Sequence, residues 1–141
     1  MINANELRIG NWFQQDASNN NAISRFFTVD EIKRYGVRST YIRQDTNQPH
    51  TSLFSLDSIH PTPLTPEILE KCGFEKDNGG YCLSDKMSLS IHITVAEEYL
   101  PCWLDKPLFP GGTNKFRIIQ HLHQLQNLYF ALTGEELNYT P

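Results

Sequence analysis

The sequence predicts an α+β protein, and three observations carry this prediction. Prolines cluster at residues 61–66 and separate two segments with different patterns. Residues 1–60 contain short runs rich in β-branched and aromatic side chains, which indicate a small, antiparallel, barrel-like β half. Residues 61–141 predict a short connector helix and then an antiparallel sheet with a C-terminal helix packed on it. Because halves of about 60 to 80 residues each bury little surface, we expect one compact unit with a shared core.

The strands of the first half follow from turn signals and apolar runs. The Gly10-Asn11 pair turns the chain into a first strand, and residues 19–21 form a second polar turn. The predicted strands are Trp12 to Gln15, Ala22 to Ile32, Thr40 to Arg43 and Ser52 to Ile59. Residues 28–35 also fit a short helix, because Thr28 to Glu31 matches a capping box and Gly36 could end the helix. We favour the strand, since neighbouring short strands need a partner.

The connector helix has signals at both ends. Thr65 is a preferred N-cap residue, and Pro66 suits the first helical position because the N–H that it lacks would be unpaired there. Gly73 can end the helix in the left-handed conformation, and Phe74 can then fold back on Leu69. These residues predict a two-turn helix with a structural role.

The second half begins with a hairpin signal at residues 77–80. Ser88 to Val95 alternates apolar and polar side chains, which predicts a half-buried strand. A further strand over Tyr99 to Leu104 contains Pro101, which indicates an edge or a bulge. Another strand follows over Lys115 to Ile119, and the pairing of residues 78–112 stays open.

The final helix is predicted over Gln120 to Thr133, with Gly134 as its cap. Leu122, Leu125 and Tyr129 lie within one apolar stripe on a helical projection. The opposite side carries amide and imidazole groups. We expect this side to face solvent and to offer a partner surface at His123, Gln124 and Asn127.

The charge distribution suggests one further candidate site. The formal net charge of −4 argues against a protein coated in positive charge. The segment from Ile32 to Arg43 nevertheless contains four basic side chains, two tyrosines and no acid. The sequence thus marks a candidate nucleic-acid surface consisting of Lys33, Arg34, Tyr35, Arg38, Tyr41 and Arg43.

Residue patterns typical of catalysis or metal binding are lacking. Cys72, Cys82 and Cys102 are too far apart for the close ligand pairs of structural zinc sites, so buried thiols are expected. His121 and His123 would diverge by about 200° on a helix and could not share a metal. Neither a Gly-x-Ser-x-Gly elbow nor a phosphate-loop spacing occurs. We therefore expect no catalytic residues, no metal and no cofactor, and an enzyme ranks third among the possible functions.

Three blocks of the chain carry a resemblance to a known group of proteins. They are Leu7-Arg8-Ile9-Gly10-Asn11-Trp12, residues 63–74 and residues 123–137. Together they resemble an uncharacterised family of small proteins encoded in prophages and mobile elements of Bacteroides and related bacteria. The resemblance implies an intracellular protein and no assigned chemistry. The first half also resembles a small barrel of the Src-homology-3 kind, judged from Gly10-Asn11-Trp12 and the short strands that end near His60.

The function expected from these observations is non-enzymatic. We expect a binding or adaptor protein of a phage or mobile element, with an unidentified protein as its partner. The alternative is a nucleic-acid-associated module that uses the segment from Lys33 to Arg43. The chain has no apolar run long enough for a membrane helix and no signal-peptide pattern, so we expect a cytoplasmic protein that does not enter the membrane.

Overall fold

The protein is an α+β protein with three small antiparallel sheets and a C-terminal helix. The structure, a computed structural model, describes residues 2–15, 25–77, 80–84, 90–93, 101–105 and 114–141. Its strands and helices, in chain order, are β1 (Trp12–Gln15), β2 (Arg25–Thr28), β3 (Glu31–Lys33), β4 (Gly36–Ile42), β5 (Pro49–Ser55), β6 (Ile59–Pro61), α1 (Pro66–Lys71), β7 (Glu75–Asp77), β8 (Gly80–Ser84), β9 (Ser90–Ile93), β10 (Pro101–Asp105), β11 (Asn114–Ile118) and α2 (Leu122–Thr133). Residues 28–35 therefore contribute to strands, as we favoured, with a break between β2 and β3.

The chain divides into two compact units. The first unit consists of Met1–Pro63 and His121–Glu136, and the second of Leu64–Gln120 and Leu137–Pro141. The final helix thus belongs to the first unit, so its predicted position on the second sheet is wrong. The reason is a set of side-chain hydrogen bonds between α2 and residues 6–12, which a count of apolar positions does not detect. The division into domains at residues 60 and 61 stays a prediction.

Two three-stranded sheets build the first unit. Their strand orders are β2-β1-β6 and β3-β4-β5, and every pairing is antiparallel. Aromatic rings form the centre of the core, because Phe13, Phe27 and Phe54 lie with ring centroids 4.7 to 5.7 Å apart. Since the described strands form two separate sheets, the closed barrel of the Src-homology-3 kind is not confirmed.

A close backbone contact explains one glycine in the second of these sheets. Gly36 begins β4 opposite Ser55, and a Cβ atom at this position would overlap the carbonyl oxygen of Phe54. Any larger residue would force β4 and β5 apart at their base. Glycine therefore keeps the long β4–β5 hairpin in register.

The predicted caps of α1 are confirmed in the second unit. The Thr65 hydroxyl accepts a hydrogen bond from the Ile68 N–H, and Pro66 occupies the first turn. At the other end Gly73 has a φ of 88°, and the Phe74 N–H donates to the Leu69 carbonyl at 3.0 Å. This is a Schellman ending, in which two apolar side chains pack together because the chain reverses.

A five-stranded antiparallel sheet with the order β11-β10-β9-β8-β7 forms the rest of the second unit. Ile91 and Ile93 on β9 are both buried, as the alternation predicted. The register shifts between Pro101 and Cys102, which confirms the predicted bulge.

Burial raises the pKa of the Cys72 thiol to about 12, so this cysteine stays protonated at neutral pH.

Some predictions fall outside the described residues. They concern the polar turn at residues 19–21, the tip of the hairpin at residues 78 and 79, and parts of the strands predicted over Ser88 to Val95 and Tyr99 to Leu104. Within the ranges given above, no helix has the length and apolar character needed to cross a membrane.

Candidate functional site

The β3-β4-β5 sheet gathers most of the predicted nucleic-acid residues. Lys33 ends β3, Arg34 and Tyr35 form the following turn, and Arg38 lies on β4. Arg43 follows β4 directly. The first four of these residues thus lie toward one end of the sheet, whereas Arg43 lies beyond the opposite end of β4.

Tyr41 lies on the other side of this sheet. Its ring packs edge-on against Phe27 with centroids 5.0 Å apart, and its hydroxyl lies 3.3 Å from the Ser52 Oγ. Alternation along β4 explains this, because Val37 and Ser39 are buried on the same side while Arg38 and Thr40 are exposed. Tyr41 therefore belongs to the core side of the sheet, opposite the side that carries Arg38.

The exposed side of the sheet is called the outer face below. It carries residues that register places next to one another on the three strands, namely Glu31, Lys33, Arg38, Thr40, Ile42, Pro49, Thr51 and Leu53. Glu31 lies opposite Arg38, and Arg38 lies opposite Leu53. The hydroxyls of Thr40 and Thr51 are 3.0 Å apart across the hairpin. The outer face is thus a continuous surface of charged, hydroxyl and apolar side chains.

Nearby acids neutralise much of the basic charge. The Glu31 carboxylate lies 3.0 Å from the Lys33 Nζ and 2.9 Å from Arg38, so it binds two cations at once. The hydrogen bond from Lys33, followed by the charge of Arg38, lowers the pKa of Glu31 below its ordinary value. The Arg43 guanidinium makes two hydrogen bonds to Asp45, at 2.9 and 2.5 Å. The sequence window from Ile32 to Arg43 excluded both acids, because each lies just beyond one of its ends.

One basic side chain of the region stacks on an aromatic ring. The Arg34 guanidinium lies 5.1 Å from the centre of the Tyr35 ring. Counting Asp30, which accepts a hydrogen bond from the Thr40 N–H, residues 30–45 hold four basic and three acidic side chains. The formal charge of this region is therefore 4 − 3 = +1.

Large apolar side chains are exposed beside these ion pairs. Leu53 is 61% exposed and Ile42 is 58% exposed, both on the outer face. Tyr35 in the adjoining turn is 73% exposed. Scattered single apolar residues on a surface are ordinary, and the Thr40–Thr51 pair separates Leu53 from Ile42, so these residues single out the outer face only together with its other side chains. The sequence offered Leu53 as a core residue and did not single out Ile42, because alternation alone does not tell which side of a strand is buried.

The polar side of α2 faces solvent only in part, because His123 is buried while Gln124 and Asn127 are half-buried. His123 is only 1% exposed, and its Nε2 lies 3.4 Å from the Glu6 carboxylate. The Asn127 amide donates to the Glu6 carbonyl at 2.7 Å, and its oxygen accepts from Asn11 at 2.9 Å. Gln124 also donates to Glu6, at 3.5 Å. The predicted partner surface of His123, Gln124 and Asn127 is therefore engaged inside the first unit.

Gln126 is the structural residue that the sequence analysis missed. It is buried, its Oε1 accepts from the Trp12 N–H at 3.0 Å, and its Nε2 donates to the Gly10 carbonyl at 3.2 Å. Arg8 adds two hydrogen bonds to Glu136, at 2.5 and 2.8 Å. These contacts attach the chain before β1 to the final helix. The network thus engages the polar side of α2, although the buried Nδ1 of His123 has no hydrogen-bond partner among the described residues.

Stability of the first unit is expected to fall on mild acidification. Burial lowers the pKa of His123 from its ordinary value of 6.5, the Glu6 carboxylate opposes this shift, and the stacked ring of His121 adds to it. Burial also lowers the pKa of His121. Between about pH 6.5, the pKa of histidine in the unfolded chain, and the lower pKa in the folded protein, the unfolded chain binds more protons than the folded one. The free energy of unfolding therefore decreases as the pH falls through that range. Urea unfolding at several pH values measures this decrease.

A pair of variants assigns this pH effect. His123→Gln removes one of the two imidazoles whose pKa is lowered and should reduce the decrease in the free energy of unfolding. His50→Gln, at an exposed position on β5, should leave it unchanged. An unchanged pH dependence in His123→Gln would contradict the assignment.

Comparisons with known proteins give no match. No family model, no curated protein and no solved structure is similar to this chain. The resemblance to proteins of mobile elements therefore stays a prediction. Among the side chains that the structure describes, no group of three or more His, Cys, Asp or Glu residues is placed to hold a metal ion.

Proposed function

We propose that this protein is a non-enzymatic binding protein that takes up a partner protein on the outer face of the β3-β4-β5 sheet. The observation that supports this most directly is the exposure of Leu53 and Ile42 on one face of the sheet, beside charged side chains that are already paired. Protein interfaces combine apolar and polar side chains, and this face carries both kinds. An adaptor role in a phage or mobile element, implied by the family resemblance, is part of the same proposal.

The basic region supports a protein partner better than a nucleic acid. Nucleic-acid binding draws its affinity from cations that replace counterions on phosphates. Here Lys33 and Arg38 already share one carboxylate, and Arg43 is bonded to another. A phosphate backbone would have to compete with these acids and with the overall charge of −4.

One observation favours the nucleic-acid alternative. The stacked pair of Arg34 and the highly exposed Tyr35 offers a cation and an aromatic ring of the kind on which bases stack. A single stacking pair without further unpaired cations gives little affinity. We therefore keep this function as the alternative.

The proposed function is tested by site-specific photo-crosslinking in cells that produce the protein. A photoreactive amino acid at Leu53 should give a covalent adduct with another protein, identified by mass spectrometry. The same amino acid at Lys76, which is exposed in the second unit, is the matched control and should not give that adduct. Ile42→Asp should weaken the Leu53 adduct, because it places a charge on the outer face. Equal labelling from both positions, or no adduct with another protein from Leu53, would contradict the proposal.

Nucleic-acid binding is measured separately by fluorescence anisotropy. We expect no saturable binding to single- or double-stranded DNA or RNA at physiological salt, because the region has a formal charge of only +1. The matched variant replaces Arg34 and Arg38 by Ala. Binding by the unmodified protein that disappears in this variant and weakens steeply with salt would make the alternative the leading function.

A further inference from the structure

β5 is an edge strand of unusual length and regularity. In the strand order β3-β4-β5 it lies at one edge, and within the described residues no strand pairs with its other side. All seven of its residues have direct partners on β4, from Pro49 opposite Ile42 to Ser55 opposite Gly36, without a register shift. The opposite edge strand, β3, has only three residues.

Hydrogen bonding across the hairpin identifies the backbone groups that point away from β4. The Arg43 N–H donates to the Gln48 carbonyl at 3.0 Å, so residues 43 and 48 form a hydrogen-bonded pair. Such pairs alternate along an antiparallel ladder, so His50, Ser52 and Phe54 bond to β4. Thr51 and Leu53 therefore direct both their N–H and C=O groups to the edge. A second hydrogen bond supports this assignment. The Asp30 N–H donates to the Arg38 carbonyl, so Arg38, which lies opposite Leu53, directs its carbonyl toward β3 and away from β5.

β5 has few of the features by which proteins protect an edge strand. Natural edges are usually short, bulged or lined with charged side chains. β5 has no charged residue and no bulge, and its single proline stands at its first position. β3 at the other edge has two of these protections, since it is short and carries Glu31 and Lys33. The contrast indicates that the edge of β5 has a partner.

We propose that the edge of β5 pairs antiparallel with β5 of a second copy of this chain. The two copies are related by a two-fold axis at Ser52, so Thr51 of each copy lies opposite Leu53 of the other. Thr51 of one copy and Leu53 of the other then exchange two backbone hydrogen bonds, each donating its N–H to the carbonyl of the other. The inference goes beyond the proposed partner surface and does not depend on it.

The sequence of β5 is self-complementary in this antiparallel arrangement. No like charges meet across the axis, because the strand carries none. At each end Pro49 lies opposite Ser55, and the pairing stops there for two reasons. Pro49 has no N–H to donate, and the Ser55 carbonyl already accepts a hydrogen bond from the Ser58 hydroxyl at 2.8 Å. Two three-stranded sheets thus become one of six strands.

This pairing also explains the exposed leucine at the edge. A two-fold axis perpendicular to the sheet keeps both outer faces on the same side, so Leu53 of each copy lies beside Thr51 of the other. Apolar–β-branched neighbours of this kind stabilise paired strands. The dimer would present two copies of the outer face to a partner, which raises avidity without new contacts.

The dimer is tested by analytical ultracentrifugation of the full chain over a range of concentrations. We expect a dimer of twice the chain mass. Thr51→Pro should shift it to the monomer, because it removes one outward N–H while the bonds to β4 remain. Leu53→Lys should do the same by placing two charges close to the axis. Ile9→Lys, at a position 59% exposed away from this sheet, is the matched control and should remain a dimer.

A second variant tests the position of the axis. In the dimer, Ser52 of one copy lies opposite Ser52 of the other, and the two form a non-hydrogen-bonded pair. The Cα atoms of such a pair lie about 4.5 Å apart, which is close enough for a disulfide. Ser52→Cys should therefore form a disulfide-linked dimer on mild oxidation, whereas Ile9→Cys should not. A monomer at all concentrations, or a dimer that persists in folded Thr51→Pro and Leu53→Lys, would overturn the inference. A monomer that still gives the Leu53 adduct with another protein would overturn the dimer alone.

Discussion

Phe13→Ala is expected to lower the free energy of unfolding by about 3 to 5 kcal/mol. Phe13 is completely buried at the centre of the first unit, on the middle strand of the β2-β1-β6 sheet. Its ring stacks on Phe27 with centroids 5.7 Å apart and meets Phe54 edge-on at 5.4 Å. These two neighbours belong to different sheets. Removing the ring leaves a cavity at the contact between the sheets, which the surrounding strands cannot fill without losing their register.

Chemical denaturation followed by tryptophan fluorescence measures this loss. Ile9→Ala is the matched control, because Ile9 is a large apolar residue that is mostly exposed in the same unit. The control should change the free energy of unfolding by no more than about 0.5 kcal/mol. Similar losses in both variants would show that the aromatic cluster is not the centre of the core.

The parts of the fold that the sequence predicted are those with local causes. The ends of α1 depend on Thr65, Pro66 and Gly73, whose effects act within one or two turns of chain. The burial of Ile91 and Ile93 follows from alternation within one short strand. In each case the residues that decide the structure are neighbours in sequence, so a local pattern is sufficient.

The environment of α2 could not be predicted because its causes are distant in sequence. The periodic stripe correctly placed Leu122 and Leu125 in the core. His123 and Gln126, however, are buried as well, since residues 6–12 supply partners for both amide atoms of Gln126 and for the Nε2 of His123. More than one hundred residues separate these partners. A buried polar group is stable wherever its hydrogen bonds are satisfied, and hydropathy does not report this.

Prediction of the basic segment from sequence is limited in the same way, although its contacting residues are closer in sequence. Its four cations lie along β3, the following turn and β4, but the acids that pair with three of them were not predicted. Glu31 reaches Arg38 because the register of β3 and β4 places them opposite one another. Register depends on how many residues the turn contains and which side is buried, and both became known only with the structure. The candidate surface therefore changed from a basic patch to a mixed surface of charged, hydroxyl and apolar side chains.

Gln126→Met is expected to destabilise the first unit although it keeps the size of the side chain. Gln126 is fully buried, and its amide satisfies the Trp12 N–H and the Gly10 carbonyl. Methionine fills the space but offers neither a donor nor an acceptor of comparable strength, so both backbone groups lose their side-chain partner. A buried group left unpaired costs about 1 to 3 kcal/mol, so the combined loss should exceed that of most surface substitutions several-fold.

Gln44→Met supplies the matched control for this substitution, because Gln44 is exposed in the connection between β4 and β5. Urea unfolding should give a clearly lower midpoint for Gln126→Met and an unchanged midpoint for Gln44→Met. Hydrogen exchange at the Trp12 amide gives an independent measurement, since this N–H should exchange faster once its acceptor is removed. An unchanged midpoint together with an unchanged exchange rate would mean that the amide of Gln126 does not hold the start of β1 against the final helix. The polar side of α2 would then again be a candidate partner surface, because its burial would no longer be explained by contacts within the first unit.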